Sequence, residues 1–138
     1  MSFRCLYRLS CIVFILLIYN HSNASEKASY YAQKIAENVA MNLPMKVNQN
    51  IVIEKVIAMN NHLILYAVFQ YNKNNLLSRL SSQFTYKDLM TKMRENTVNR
   101  ICTDRKSRAF IKIGGVIEYV YYFNNGEKLN SFKVSRCE

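Results

Sequence analysis

Apolar residues recur at helical spacing in some stretches of this chain, alternate in others, and run unbroken near the N-terminus. Tyr31, Ala32, Ile35, Val39 and Leu43 stand one, three or four apart, with Lys27, Lys34, Glu37 and Asn38 on the other side. That single stripe predicts a helix from about Ser25 to Asn42. Leu43-Pro44 ends it, because the residue before a proline avoids the helical region. Ile51–Met59 (IVIEKVIAM) and His62–Tyr71 (HLILYAVFQY) are strand-like runs on either side of Asn60-Asn61, the pattern of a hairpin. Leu63, Leu65, Ala67 and Phe69 share one face of the second run, and Ile64, Tyr66, Val68 and Gln70 the other. Both faces are fairly apolar, which predicts a central strand.

The next segment, Asn72 to Phe84, is Asn-rich and then holds Leu76, Leu77 and Leu80; it reads as a loop with room for one helical turn. Thr85 and Asp88 have the spacing of a capping box, with Asp in place of the usual Glu. They open a second helix whose buried stripe is Leu89, Met90, Met93, Thr97 and Ile101. Arg94 and Arg100 lie toward its C-terminal end, where cations suit the helix dipole. A short helical segment from about Asp104 to Lys112 should stop at Gly114-Gly115. Val116–Phe123 (VIEYVYYF) and Lys128–Ser135 (KLNSFKVS) flank Asn125-Gly126, which predicts a second hairpin with a two-residue turn at positive φ.

These elements predict an α+β fold: a four-stranded antiparallel sheet of two hairpins, with two helices packed on one face and one disulfide. The helical stripes cover one face only. Tyr119, Tyr121 and Phe123 are candidates for the other, more exposed face, although the pattern leaves the parity of each strand open.

The unbroken run is Cys11–Tyr19 (CIVFILLIY), preceded by Arg4 and Arg8 and followed by Ser22-Asn23-Ala24. A short apolar core behind a positive start and ahead of small residues is the pattern of a secretory signal peptide cut after Ala24. The expected organisation is residues 1–24 as signal and 25–138 as a single exported α+β domain. Losing Arg4 and Arg8 lowers the formal charge from +10 to +8. Cys5 and Cys11 leave too, so Cys102 and Cys137 remain, and an even pair in an oxidising compartment reads as a disulfide. It would close a loop of about 36 residues, worth roughly 4 kcal/mol in the chain-entropy treatment.

Parts for catalysis are scarce. His62 is the one histidine of the exported chain and sits at a turn, so it could serve at most one base-assisted nucleophile. A structural zinc site needs four Cys or His ligands, and three are available. Glu54 and Glu118 lie in apolar strands and could face each other, but pairing with Lys55 or Lys133 is the simpler expectation. No phosphate-cradling glycine loop is present. Arg100, Arg105, Lys106, Arg108 and Lys112 read as a solvated basic helix face; export argues against a nucleic-acid partner. The expectation is a binding protein with no cofactor, no metal and no catalytic residues.

The order of motifs resembles a known family. The stretch Ala28–Lys46 (ASYYAQKIAENVAMNLPMK) reads as an alanine-rich helix closing on Asn42-Leu43-Pro44; Cys102 is followed by Asp104; Gly115 precedes a strand; Cys137 comes last. This sequence is similar to the small pilotins of bacterial type II secretion systems, of the AspS or GspS-beta class, over nearly all of residues 25–138. The resemblance implies a periplasmic protein that holds the helical C-terminal segment of a secretin and escorts it to the outer membrane. Leu89, Met93 and Tyr119, in a groove between the second helix and the sheet, are the expected partner-binding residues. Pilotins of this class carry a lipidated cysteine directly after the signal's apolar run, and residues 20–25 contain none. Association with the outer membrane is then expected only through the partner. A soluble periplasmic binding, inhibitor or immunity protein of the same fold is the alternative.

Overall fold

The computed structural model describes residues 25–80 and 84–138. The expected signal peptide lies outside the described residues. The first helix, α1 (residues 25–40), buries Ala28 and Ala32 completely, and Ile35 and Ala36 pack on the core beside them. Tyr31, expected in the buried stripe, is instead 43% exposed; small alanines let α1 approach its neighbours closely.

The strands are β1 (Met45–Asn48), β2 (Ile51–Met59), β3 (His62–Phe69), β4 (Val116–Phe123) and β5 (Lys128–Val134). They form one five-stranded sheet in the order β1-β2-β3-β4-β5. Three more helices lie between β3 and β4: α2 (Lys73–Arg79), α3 (Tyr86–Thr103) and α4 (Arg105–Lys112). Among the described residues, the expected four-stranded antiparallel sheet with two helices is therefore corrected to a five-stranded mixed sheet with four helices.

Two causes account for the difference. The added strand is short and follows Pro44; Met45-Lys46-Val47-Asn48 alternates half-buried and exposed, and Met45 pairs with Ile53 on β2. The second cause is the return path. An 18-residue α3 spans about 27 Å, close to the ~26 Å of an eight-residue strand. It carries the chain back along the sheet, so β4 starts beside the start of β3. His62 pairs with Val116 and Phe69 with Phe123 in parallel register, while all other pairings are antiparallel. Hydrophobic alternation reports that a strand exists but not which way its neighbour runs.

Parallel register aligns the faces of the two central strands. Leu63, Leu65, Ala67 and Phe69 lie beside Ile117, Tyr119, Tyr121 and Phe123, and both sets face the helices. Tyr121 is 8% exposed and Phe123 1%, so these two are core residues, contrary to the expectation of an exposed face. Tyr119 is half-buried against the same core. On β2 a bulge between Ile53 and Lys55 sets Glu54 outside the pairing. The extra residue resets the parity, so Ile51, Ile53, Val56 and Ala58 all join the core.

The connections use specific chemistry. The Thr85–Asp88 capping box opens α3, with Thr85 Oγ1 accepting from Asp88 N and Asp88 Oδ2 accepting from Thr85 N. Asp104 caps α4 through Ser107 N. Helix α4 closes with Gly114 N donating to Ile111 O and Gly115 N to Phe110 O, with Gly114 at φ +94°. The β4–β5 turn differs from the expected two-residue form. It spans residues 124–127, only Gly126 takes positive φ, and Asn125 Oδ1 accepts from Glu127 N. The expected disulfide is present: Cys102 at the end of α3 is bonded to Cys137 beyond β5, with Cα atoms 5.5 Å apart.

Candidate functional site

The helices do not cover the sheet evenly. Helix α3 packs against β5 and α4 against β4. Between α3 and the strands toward the β1 edge an open cleft of about 150 Å³ remains. Its floor holds Ile51, Ala67, Tyr119 and Tyr121, and Val47 of β1 lines it as well. Met93, Asn96, Thr97 and Arg100 line it from one side of α3, at the three- and four-residue spacing of a helix face.

The wall and floor are fastened together. Thr97 is 5% exposed and donates from Oγ1 to Met93 O at 2.8 Å. Its oxygen lies 3.0 Å from Tyr121 Oη. The threonine proton is already committed, so Tyr121 must be the donor of this second bond. Tyr119 stacks on Tyr121 with ring centroids 6.0 Å apart. Burial raises the hydroxyl pKa of both tyrosines, partly offset by the Arg100 charge at each. Both hydroxyls are therefore neutral at physiological pH. The cleft is apolar toward Val47, Ile51 and Met93 and polar toward Asn96 and Arg100, with the guanidinium as its cation.

Of the three expected partner-binding residues, Met93 and Tyr119 both line this cleft. Leu89 does not. It is one helical turn earlier on α3, half-buried against the core. Sequence reasoning missed Val47, because it assigns no element between Pro44 and Ile51, although the alternation of Met45–Asn48 was the available signal. It also missed Arg100 as a cleft residue, placing it at the end of a helix and on a solvated basic face.

The other chemical candidates separate. Glu54 is on β2 and Glu118 on β4, with β3 between them. Glu118 instead meets Lys133 at 3.8 Å. His62 begins β3, opposite Met59 and beside Val116. Among the described residues no three His, Cys, Asp or Glu side chains are grouped to hold a metal ion, and no helix is long and apolar enough to cross a membrane. What the cleft offers is apolar contact, a few amide and hydroxyl groups, and one cation.

No protein-family model matches the chain, and no curated protein matches it in sequence. Solved structures do share its arrangement. A Pseudomonas aeruginosa protein assigned as secreted superposes with a TM-score of 0.64 at 13% identity, over 80% of this chain and 91% of its own. The type 2 secretion system pilotin EpsS of Vibrio vulnificus gives 0.66 at 11% identity, over 85% and 99%. The type II secretion system pilotin AspS of Vibrio cholerae gives 0.64 at 15% identity, over 84% and 95%. In fold, this chain is similar to the type II secretion pilotins along most of its length.

Proposed function

We propose that the protein is a periplasmic, pilotin-like binding protein. It would hold the helical C-terminal segment of a secretin in the cleft between α3 and β1–β4 and so assist outer-membrane assembly of a type II secretion system. The observation that carries the reading is the open, largely apolar cleft walled by Met93, Asn96, Thr97 and Arg100, in a fold that pilotins share. A cleft of about 150 Å³ takes in a large side chain or two, not a helix about 10 Å across. The partner helix would lie across the mouth and insert its anchor side chains, the helix-in-groove mode. Met93 suits such a wall because its unbranched thioether adapts to the shape it meets. Arg100 favours a partner acid at that end of the cleft.

The fold likeness to the Pseudomonas protein equals that to AspS, which supports a second reading: a soluble periplasmic binder with a different partner. One titration separates the two. The protein is titrated with peptides from the C-terminus of the secretin encoded in the same genome, followed by calorimetry and circular dichroism. Saturable binding that induces helix in the peptide is the expected result. A folded protein that binds none of these peptides would leave the second reading in place.

A further inference from the structure

The sheet has a second face, and its side chains point away from the core that the helices cover. Ile64, Tyr66, Val68 and Tyr122 of the two central strands stand half-buried there around Val120, which is 6% exposed, and none belongs to the core cluster. Tyr66 stacks on Tyr122 with centroids 6.1 Å apart. Lysines border this stripe on both sides. Lys46 on β1 pairs with Val52 and Lys55 on β2 with Tyr66; Lys128 and Lys133 on β5 pair with Tyr122 and Glu118. Directly paired residues share a face, so four exposed lysines surround an aromatic and aliphatic centre. Of the acids nearby, Glu118 is engaged by Lys133 at 3.8 Å, and exposed Glu54 sits in the β2 bulge next to Lys55, which leaves the lysines in excess. Lys55 reaches over the Tyr66 ring, 5.3 Å from its centroid. At the end of the same face Ile57 and Met59 are 37% and 60% exposed.

We infer that this open face docks on an anionic phospholipid surface. The charge excludes a second copy as occupant, because two such faces would bring four lysines against four. The shape decides between a membrane and an acidic helix. A helix seeks a groove with raised walls, and this face is a single pleated layer with its apolar residues in the middle. Tyrosine and lysine are the side chains that bridge an apolar interior and a headgroup layer, the ring lying at the boundary and the lysine stem reaching out to phosphate. Exposed Ile57 and Met59 supply aliphatic groups to enter that boundary. The inference is independent of what fills the cleft, and it gives the domain a membrane contact beyond any made through a partner.

The test is co-sedimentation of the purified protein with vesicles of phosphatidylcholine alone and of phosphatidylcholine mixed with phosphatidylglycerol. Binding is expected only to the mixed vesicles and should weaken as salt screens the lysines. The double variant Lys55→Glu and Lys128→Glu should reduce that binding more than about ten-fold with at most a small fall in Tm, since both residues are exposed and Lys55 gives up only its contact over Tyr66. Lys106→Glu with Arg108→Glu, the same charge change on α4, should leave most of it. Wild-type protein that ignores phosphatidylglycerol would overturn the inference. So would equal losses from the two double variants, which would mean that net charge alone attracts the lipid.

Discussion

Thr97 on α3 and Tyr121 on β4 share a hydrogen bond of 3.0 Å at the base of the cleft. Tyr121 donates and Thr97 passes its own proton to Met93 O, which ties the helix wall to the sheet floor. The two substitutions should therefore differ. Tyr121→Phe removes the donor and leaves the threonine bonded to its own helix, at a cost of about 1 kcal/mol. Thr97→Val leaves a buried tyrosine hydroxyl without a partner and should cost about 1–3 kcal/mol. Urea denaturation of both variants checks the order.

Cys102→Ser should destabilise the domain by about 2–5 kcal/mol, because the bridge joins residues 35 apart in sequence and restrains the unfolded chain. The unreduced, denatured wild type should show no thiol from this pair, and the variant should show one at Cys137. Equal stability of the two proteins would contradict this.

Gly115→Ala should cost about 1–3 kcal/mol by overpacking. A Cβ there would come within 2.5 Å of the Phe110 ring, which is itself only 3% exposed. Gly114→Ala meets no atom within 4 Å but must hold φ +94°, a strain of about 1–2 kcal/mol. Thermal melts distinguish the mechanisms when each is combined with Phe110→Leu. The smaller side chain should relieve Gly115→Ala and leave Gly114→Ala unchanged.

Much of this fold was legible in the residues that cap and punctuate it. Thr85 and Asp88 marked the start of α3, Gly114-Gly115 the end of α4, and Cys102 with Cys137 the bridge. The direction of β4 was not legible, since it depends on how far α3 carries the chain, a property of the packed molecule. The face of Tyr121 and Phe123 followed from that register, so it was lost with it. At the cleft, Met93 and Tyr119 could be named because a helix stripe and a strand had to meet somewhere; Leu89, on the same stripe, was drawn into the core one turn away. Val47 and Arg100 were hidden because a four-residue edge strand and an exposed cation carry little signal in a single sequence.

The cap of α4 sets an acid-side limit. Hydrogen bonds from the Ser107 hydroxyl and backbone hold the Asp104 carboxyl below its usual 3.8. A folded pKa below the unfolded one means that the stabilisation is full above the unfolded value and is lost as pH falls through the folded one. Asp104→Ala should cost about 1 kcal/mol near neutral pH, the usual worth of an N-cap. The gap between the variant and the wild type should narrow below about pH 4. Stability measured against pH for both proteins checks the sign; a gap that widens in acid would contradict it.

The central claim is that the cleft beside α3 receives a partner helix, and blocking its mouth tests that most directly. Asn96 is exposed on the cleft's helical wall, so Asn96→Trp should fill the opening without disturbing the core. The measurement is the affinity of secretin C-terminal peptides for the wild type and for Asn96→Trp, each shown to be folded by its thermal melt. Saturable binding to the wild type and its loss in the variant is the predicted result. Unchanged binding to Asn96→Trp would place the partner elsewhere on the molecule and contradict the account.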